Sequence, residues 1–571
     1  MAAGSGPSIS PPGPVLHGIG VGLGAVAGPV VRAHPIATAP ATAPAPVDPQ
    51  AAAKKLTDVM GVVSHSLSAR AHAATGTLSE VLEAAADMAQ DPDLIEMAVG
   101  KVLEGTDPAV AITEATAIYA DMFHAAGGYM AERVTDLMSI RDRVVARLSG
   151  LPEPGGPPLT EPSIVTAVDL SPADTGALDL SKVLGIVLSQ GGPTSHTAII
   201  AGQLGLPCIV QVAGAEVLRD GDMVALDAAS GTVSVRPDEA TLAAVKARQE
   251  AQAMLASDKA DGGTSDGHPV QLLANIGTAE DAQRLVDEAV QGVGLFRTEV
   301  LFLDAKTAPT QADQAAAYEK ALTALKPRKV VIRTIDAGAD KPLAFATMPG
   351  EENPALGVRG YRLVRTIPEL LSTQLAAIAE AAKETDTNPW VMAPMIASVA
   401  EAHDFAHAAR SAGIKTVGVM IEVPSAAIRA KKILKEVDFV SLGTNDLAQY
   451  TMATDRLAGN LSDLLSIWQP GVLFLVNRVA RAGKKLKKPV GVCGESAGDP
   501  LMALVLTGMG MTSLSMSPKS IPAVRFALRS HTLAECEAMA KAALKARSAV
   551  EGRAAVVKLV RPEVKSVLAI K

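Results

Sequence analysis

The stretch Thr416–Leu447 reads TVGVMIEVPSAAIRAKKILKEVDFVSLGTNDL. Two β-like apolar runs, Thr416–Glu422 and Phe439–Gly443, flank a segment of helical length, and each run leads into polar residues. Glu422 closes the first, and Asn445 and Asp446 follow the second. Carboxylates at the carboxyl ends of strands that alternate with helices are the mark of a βα barrel unit. Working outward, six more runs have the same character: Val270–Asn275, Gly292–Arg297, Val330–Asp336, Trp390–Pro394, Val490–Gly494 and Ser513–Ser517. Eight βα units in roughly 300 residues predict a TIM-type (β/α)8 barrel, and their even spacing favours closure over a doubly wound sheet.

A chain of 571 residues exceeds one ordinary core, so further domains must precede the barrel. Hydrophobic residues make up 48% and charged residues 20%, a globular balance, while aromatics at 3% leave the cores to aliphatic side chains. A formal net charge of -8 argues against a nucleic-acid partner. Cys208, Cys493 and Cys536 lie far apart without metal-ligand spacing, which fits a reducing, cytoplasmic setting. The uncharged stretch Pro14–Val31 has no Lys or Arg before it and is broken by glycines, so it is not read as a signal sequence. No run is long and apolar enough to span a bilayer, and no membrane partner is expected.

The part before the barrel divides by composition. Residues 1–17 read as a flexible tail, and 18–47 as an N-terminal strand plus an Ala/Pro-rich linker. Residues 48–150 read as a helical domain. Thr77-Leu-Ser-Glu80 has capping-box form, Asp91-Pro92 and Asp107-Pro108 are helix starts, and a last long helix from about Pro108 to Leu148 is interruptible at Gly127-Gly128. Residues 151–237 mix short strands with a helix after Gly191-Gly192, residues 238–262 form a connecting helix, and the barrel occupies 263–571.

The candidate nucleophile lies in Gly191-Gly-Pro-Thr-Ser-His196-Thr-Ala-Ile-Ile200. The glycines permit a sharp turn, and Thr194 or Ser195 can cap the following helix. His196 then falls in the first turn, where unpaired N–H groups and the helix dipole favour an anion. Neutral imidazole attacks phosphorus well and leaves it readily, as a phosphoryl carrier must. A lone His at a helix start is ordinarily just a polar residue; here the run, with Leu204-Gly-Leu-Pro207 after it, closely resembles the phosphohistidine segment of phosphoenolpyruvate-utilising enzymes.

The barrel's polar residues form a kit for a small phosphorylated carboxylate. They sit in Gly294-Leu-Phe-Arg297-Thr-Glu299, Arg333-Thr-Ile-Asp336, Asn353-Pro-Ala-Leu-Gly-Val-Arg359, Met420-Ile-Glu422, Ser441-Leu-Gly-Thr-Asn445-Asp446, Arg456 and Cys493-Gly-Glu495. Arginines pair with phosphate and carboxylate oxygens, and Glu422 and Asp446 offer hard oxygens to Mg2+. Asn445 can add a hydrogen bond to the phosphoryl group. Metal and arginines would neutralise charge on that group, which is most of what the chemistry needs. A Cys at a strand end is usually a small buried hydrophobe, yet the enolate left by phosphoenolpyruvate needs a proton at carbon, and the Cys493 thiol could supply it. Cys208 and Cys536 have no such setting.

Together these motifs resemble enzyme I of the bacterial phosphoenolpyruvate:sugar phosphotransferase system, from about Gly18 to Arg553 and in the family's domain order, including Met130-Ala-Glu-Arg-Val-Thr-Asp136 through Arg141. The resemblance implies a multidomain α/β protein: a helical docking bundle, a swivelling α/β phosphohistidine domain and a C-terminal barrel. It implies that His196 is phosphorylated, that Arg297, Arg333, Asn445, Asp446 and Arg456 bind phosphoenolpyruvate, that Glu422 and Asp446 hold Mg2+, and that Cys493 donates the proton. It further implies the phosphocarrier HPr as acceptor, a homodimer formed by the barrel, and linkers around Leu151 and Pro237 that let the phosphohistidine domain swing. The chain departs from the family at Pro193, where many members carry Arg, at Gly22-Leu-Gly24, where Ser-Pro is usual, and over residues 457–469.

Two other readings stand beside this one. A pyruvate phosphate dikinase or phosphoenolpyruvate synthase shares the histidine segment and barrel, but needs an ATP-grasp domain that the roughly 150 preceding residues do not supply. A regulatory phosphorelay paralogue of enzyme I would carry a sensor domain, for which residues 1–50 are too short.

Overall fold

The structure, a computed structural model, describes residues 13–570 apart from 22–23, 34–38, 40–42, 74–76, 127–132, 155–158, 171–173, 175–177, 180, 193–196, 199–200, 202–205, 303–304, 306, 338–342, 349, 456–458 and 569. The chain forms two compact units, Met1–Ala251 and Gln252–Lys571.

The first unit pairs a helical bundle with an α/β layer. Its sheet is built from β1 (Val15–His17), β2 (Ile19–Val21), β3 (Ala25–Arg32), β4 (Ser163–Ala167), β5 (Val183–Leu188), β6 (Cys208–Val210), β7 (Met223–Asp227) and β8 (Thr232–Val235). The order is β1-β8-β7-β3-β4-β5-β6-β2, so the N-terminal strands complete a sheet whose other members follow the bundle in sequence. Residues 1–17 are therefore not all tail: β1 pairs antiparallel with β8. Backbone bonds from Gly13 N to Val235 O (2.9 Å) and from Val235 N to Pro14 O (3.0 Å) extend the contact. Such pairing is carried by the main chain, and a Gly/Pro-rich composition conceals it.

The bundle contains helices Pro49–Ala73, Thr77–Ala89, Pro92–Leu103, Pro108–Ala126 and Val134–Leu148 around a core of Leu56, Met60, Leu94, Ile112, Leu137 and Val144. The Asp-Pro starts behave as caps: Asp91 accepts from the amides of Asp93 and Leu94, and Asp107 from that of Ala109 at 2.9 Å. The Thr77 capping box and Gly127-Gly128 lie outside the described residues or side chains. A connecting helix runs from Glu239 to Ser257.

The second unit is a closed barrel of eight parallel strands: β9 (Gln271–Ile276), β10 (Gly292–Arg297), β11 (Lys329–Arg333), β12 (Trp390–Ala393), β13 (Thr416–Ile421), β14 (Phe439–Leu442), β15 (Val490–Val492) and β16 (Ser513–Met516). Closure comes from β16 pairing with β9 in parallel register, Ser513 opposite Gln271. Several surrounding helices start with reciprocal caps, Thr278 with Asp281, Thr310 with Asp313, Ser398 with Glu401 and Thr532 with Glu535. Each satisfies orphan amides at the start of its helix. Six strands, β11 to β16, end one to three residues earlier than the apolar runs suggest, among them the four that lead into the polar strand-end residues. The ladder stops at Arg333, Ile421, Leu442 and Val492, so Asp336, Glu422, Gly443 and Cys493 stand just beyond it, where the chain turns outward.

Candidate active site

The strand ends deliver their side chains to one mouth of the barrel. Arg297 is the last residue of β10 and half-buried; in the 3-10 turn Thr298–Phe302 that follows, Glu299 is fully buried. Arg333 ends β11, Glu422 follows β13, and Cys493 follows β15. Gly443 joins β14 to helix Thr444–Met452, whose first turn carries Asn445 and Asp446.

These charges form one continuous chain. Arg333 Nη2 donates to Glu299 Oε1, and its Nη1 stands 2.9 Å from Asp336 Oδ2. Arg359 Nη2 donates to both Asp336 oxygens at 3.2 and 3.3 Å, while its Nη1 donates to Asp446 Oδ1 at 3.2 Å. Glu299, Arg333, Asp336, Arg359 and Asp446 are all buried. Buried charges persist only when paired in this way, because each has lost its hydration. The backbone makes room for the chain: Gly360 has φ +57°, and a Cβ there would meet Met395 Cβ at 2.9 Å and Asp336 Oδ1 at 3.1 Å.

Glu422 has no exposed surface. Its Oε1 accepts the Met395 amide at 2.6 Å, and Met395 holds a left-handed φ of +60° to aim that amide. Its Oε2 is buried without a hydrogen-bond partner. Burial, joined by the charges of Asp446 and Asp336, pushes this carboxyl up against the pull of Arg333. The space before Oε2 exists because residue 443 is glycine; a Cβ there would lie 2.4 Å from that oxygen.

An orphaned, buried carboxylate oxygen next to Asp446 is the donor set a hard divalent cation needs, so the residues fit Mg2+. Among the described residues no group of three or more His, Cys, Asp or Glu is placed to hold a metal ion without further ligands. A cation held by two carboxylates keeps positions open for substrate, as Mg2+ does when it shares a phosphate.

Cys493 is buried at the barrel axis beside Leu295, Val331, Met392, Met420 and Phe439. Burial pushes its thiol up to about 11, offset in part by the nearby Ser441 hydroxyl, so it stays protonated at neutral pH and donates to Leu442 O at 3.6 Å. Its carbonyl accepts Asn275 Nδ2 at 3.2 Å. Asn445 is anchored by the Glu495 amide, which donates to its Oδ1 at 3.1 Å. Cys208 and Cys536 are buried core residues whose thiols burial pushes up to about 12.

In the first unit, β5 leads into Gly191, whose φ of +81° makes the turn before the histidine segment. Thr197, one residue past His196, is buried and donates to Leu170 O at 2.9 Å. His196 itself, Pro193 and, in the barrel, Arg456 lie outside the described residues. Of the residues singled out from sequence, Arg333, Glu422, Asp446 and Cys493 come together in one buried cluster, with Asn445 and Arg297 at its edge. Glu299, Asp336 and Arg359 belong to it as well. Their strand-end positions were visible in the sequence, but their pairing was not. The Met395 amide had no sequence signal at all.

Three family descriptions match in succession: the N-terminal domain of PEP-utilising enzymes over residues 17–133, their mobile domain over 159–231, and their PEP-binding domain over 251–533. The chain is 47% identical over 547 residues to the phosphoenolpyruvate-protein phosphotransferase of Streptomyces coelicolor, covering 95% of this chain and 98% of that one. It is 35% identical to the phosphoenolpyruvate-protein phosphotransferase of Staphylococcus carnosus over 81% of this chain and 84% of that one. The corresponding figures for the Haloferax volcanii protein of the same name are 37%, 82% and 85%.

Proposed function

This chain belongs to the phosphoenolpyruvate-protein phosphotransferase family, and from that premise we propose how its residues divide the reaction. The enzyme moves the phosphoryl group of phosphoenolpyruvate to protein. In our reading Arg297, Arg333, Asn445, Asp446 and Arg456 bind the substrate, and His196 attacks phosphorus. The P–O bond breaks as the N–P bond forms, and the enolate left behind takes the Cys493 thiol proton at carbon, giving pyruvate. Glu422 and Asp446 would hold Mg2+, which when bound would draw charge from the phosphoryl oxygens. Phosphorylated His196 then passes its group to a histidine of HPr, the first step of sugar phosphotransferase uptake. We place the enzyme in the cytoplasm as a homodimer; among the described residues no helix is long and apolar enough to cross a membrane.

One observation carries the assignment. The buried ion-pair chain ends at Asp446 beside Glu422, whose Oε2 is left without a partner. A stable core has no use for that oxygen, whereas a cation shared with a phosphorylated substrate does. The test is incubation with phosphoenolpyruvate labelled in its phosphate, with and without Mg2+. Mg2+-dependent, acid-labile label on the His196 peptide is expected, and its loss in His196→Ala. Label retained in that variant would displace His196 as the nucleophile.

A further inference from the structure

The interior of a TIM-type barrel is ordinarily filled by layers of bulky branched side chains. Below Cys493 this barrel is different. Gly294, Gly491, Ser441, Ser513 and Ser515 face a cavity of about 10 Å3, close to what one water molecule requires. A Cβ on Gly491 would lie 2.5 Å from Ser513 Oγ and 3.7 Å from Ser441 Oγ, so the two hydroxyls share the space that the missing side chain leaves. Ser515 is committed elsewhere, donating to Asn275 Oδ1 at 2.6 Å. At the opposite end of the cavity from the mouth, Lys329 opens β11. It is the only ionisable side chain among the described residues that line the cavity. Its Nζ lies 3.6 Å from the Trp390 ring centroid and donates to Gln271 Oε1 at 3.3 Å.

We propose that Ser513, Ser441 and Lys329 form a path that returns a proton to the Cys493 thiol from the floor of the barrel. This rests on the reading of Cys493 as the donor to the enolate. Each turnover breaks the S–H bond, forms a C–H bond and leaves a thiolate. That thiolate is buried among Leu295, Val331, Met392 and Phe439, away from solvent at the mouth. The resting thiol donates to Leu442 O at 3.6 Å; once it is a thiolate, Ser441, which lines the cavity beside it, gives up its hydroxyl proton to sulfur. Ser441 is refilled through a cavity water and Ser513 from the Lys329 ammonium, and neutral Lys329 recovers its proton from bulk water. One solvent proton is consumed per pyruvate. Burial lowers Lys329 to about 8, which suits a group that must release and regain a proton near neutral pH. Lys329 acts only through Cys493 and touches no substrate.

The test runs the full-length enzyme with phosphoenolpyruvate, Mg2+ and carbon-labelled pyruvate in deuterium oxide. Two rates are read: label passing from pyruvate into phosphoenolpyruvate, and deuterium entering the pyruvate methyl group. Label exchange needs no relay, because the reverse reaction returns a methyl proton to the thiolate. Deuterium entry needs the site to trade protons with solvent. In Lys329→Met and, independently, Ser513→Ala, label exchange should stay within about twofold of the parent while deuterium entry per exchange falls about fivefold or more. Lys329→His, still able to release a proton, should restore it. Unchanged deuterium entry in both variants would overturn the path and place reprotonation at the mouth. Persistence of label exchange in Cys493→Ala would instead overturn the donor reading on which the path rests, so the two failures are distinguishable.

Discussion

The backbone amide of Met395 donates to Glu422 Oε1 across 2.6 Å and leaves the carboxylate's other oxygen without a partner. A non-glycine residue in the left-handed region costs about 1–2 kcal/mol, so the arrangement is one the surrounding structure must enforce. Gly360 helps enforce it, since any side chain there would collide with Met395. The outcome is a carboxylate fixed by one oxygen and open through the other.

Glu422→Gln keeps an acceptor for the Met395 amide but puts an amide group where Oε2 stood. Divalent-metal affinity, read by calorimetric titration with Mn2+, is expected to fall about 100-fold or more. Thermal stability should hold or rise, because a buried and incompletely paired acid has been replaced by a neutral group.

Gly443→Ala places a methyl group 2.4 Å from Glu422 Oε2 without removing any charge. Metal affinity should drop about tenfold or more in the same titration, with the far-ultraviolet spectrum unchanged. Unaltered affinity would mean that the cation does not approach Glu422 from this side.

Asp336 is the hub between Arg333 and Arg359. Asp336→Ala takes one of two acid partners from each of two buried guanidinium groups, leaving Glu299 and Asp446, and should cost about 3 kcal/mol in urea unfolding of the barrel. Asp336→Asn, which keeps an acceptor, should cost less. Because Arg333 loses its orientation in both, KM for phosphoenolpyruvate should rise in each, measured by pyruvate release.

Burial raises all three thiols, Cys493 to about 11 and Cys208 and Cys536 to about 12. A raised thiol pKa means the neutral, unreactive form prevails below that value. Ellman's reagent at pH 8 should therefore find no rapidly reacting thiol in the native enzyme and three after unfolding in guanidinium. Fast reaction of one thiol in the native state would show that Cys493 is reached from the mouth, which also bears on how it regains its proton.

The barrel strands were legible because each is a short apolar run ending in polar residues, and a parallel strand buried on both sides must read that way. Residues 292–297 begin and end where the run predicts, whereas β11 and β15 stop early. The length of a ladder depends on where its neighbours turn away, and one strand's residues do not record that. Val15–His17 escaped detection for a related reason: an edge strand joined by main-chain bonds needs no distinctive side chains.

The site divides along the same line. Residue type and position at a strand end are local, so the sequence alone determined that Arg333, Glu422, Asn445, Asp446 and Cys493 would gather at one rim. Which acid holds which arginine is not local. Asp336 lies 23 residues from Arg359, and Arg359 lies 87 from Asp446. Only closure of the barrel brings them within hydrogen-bond distance. The tertiary structure likewise decided that Glu422 keeps one oxygen free, because the donor to the other is a backbone amide, and every residue type but proline carries one.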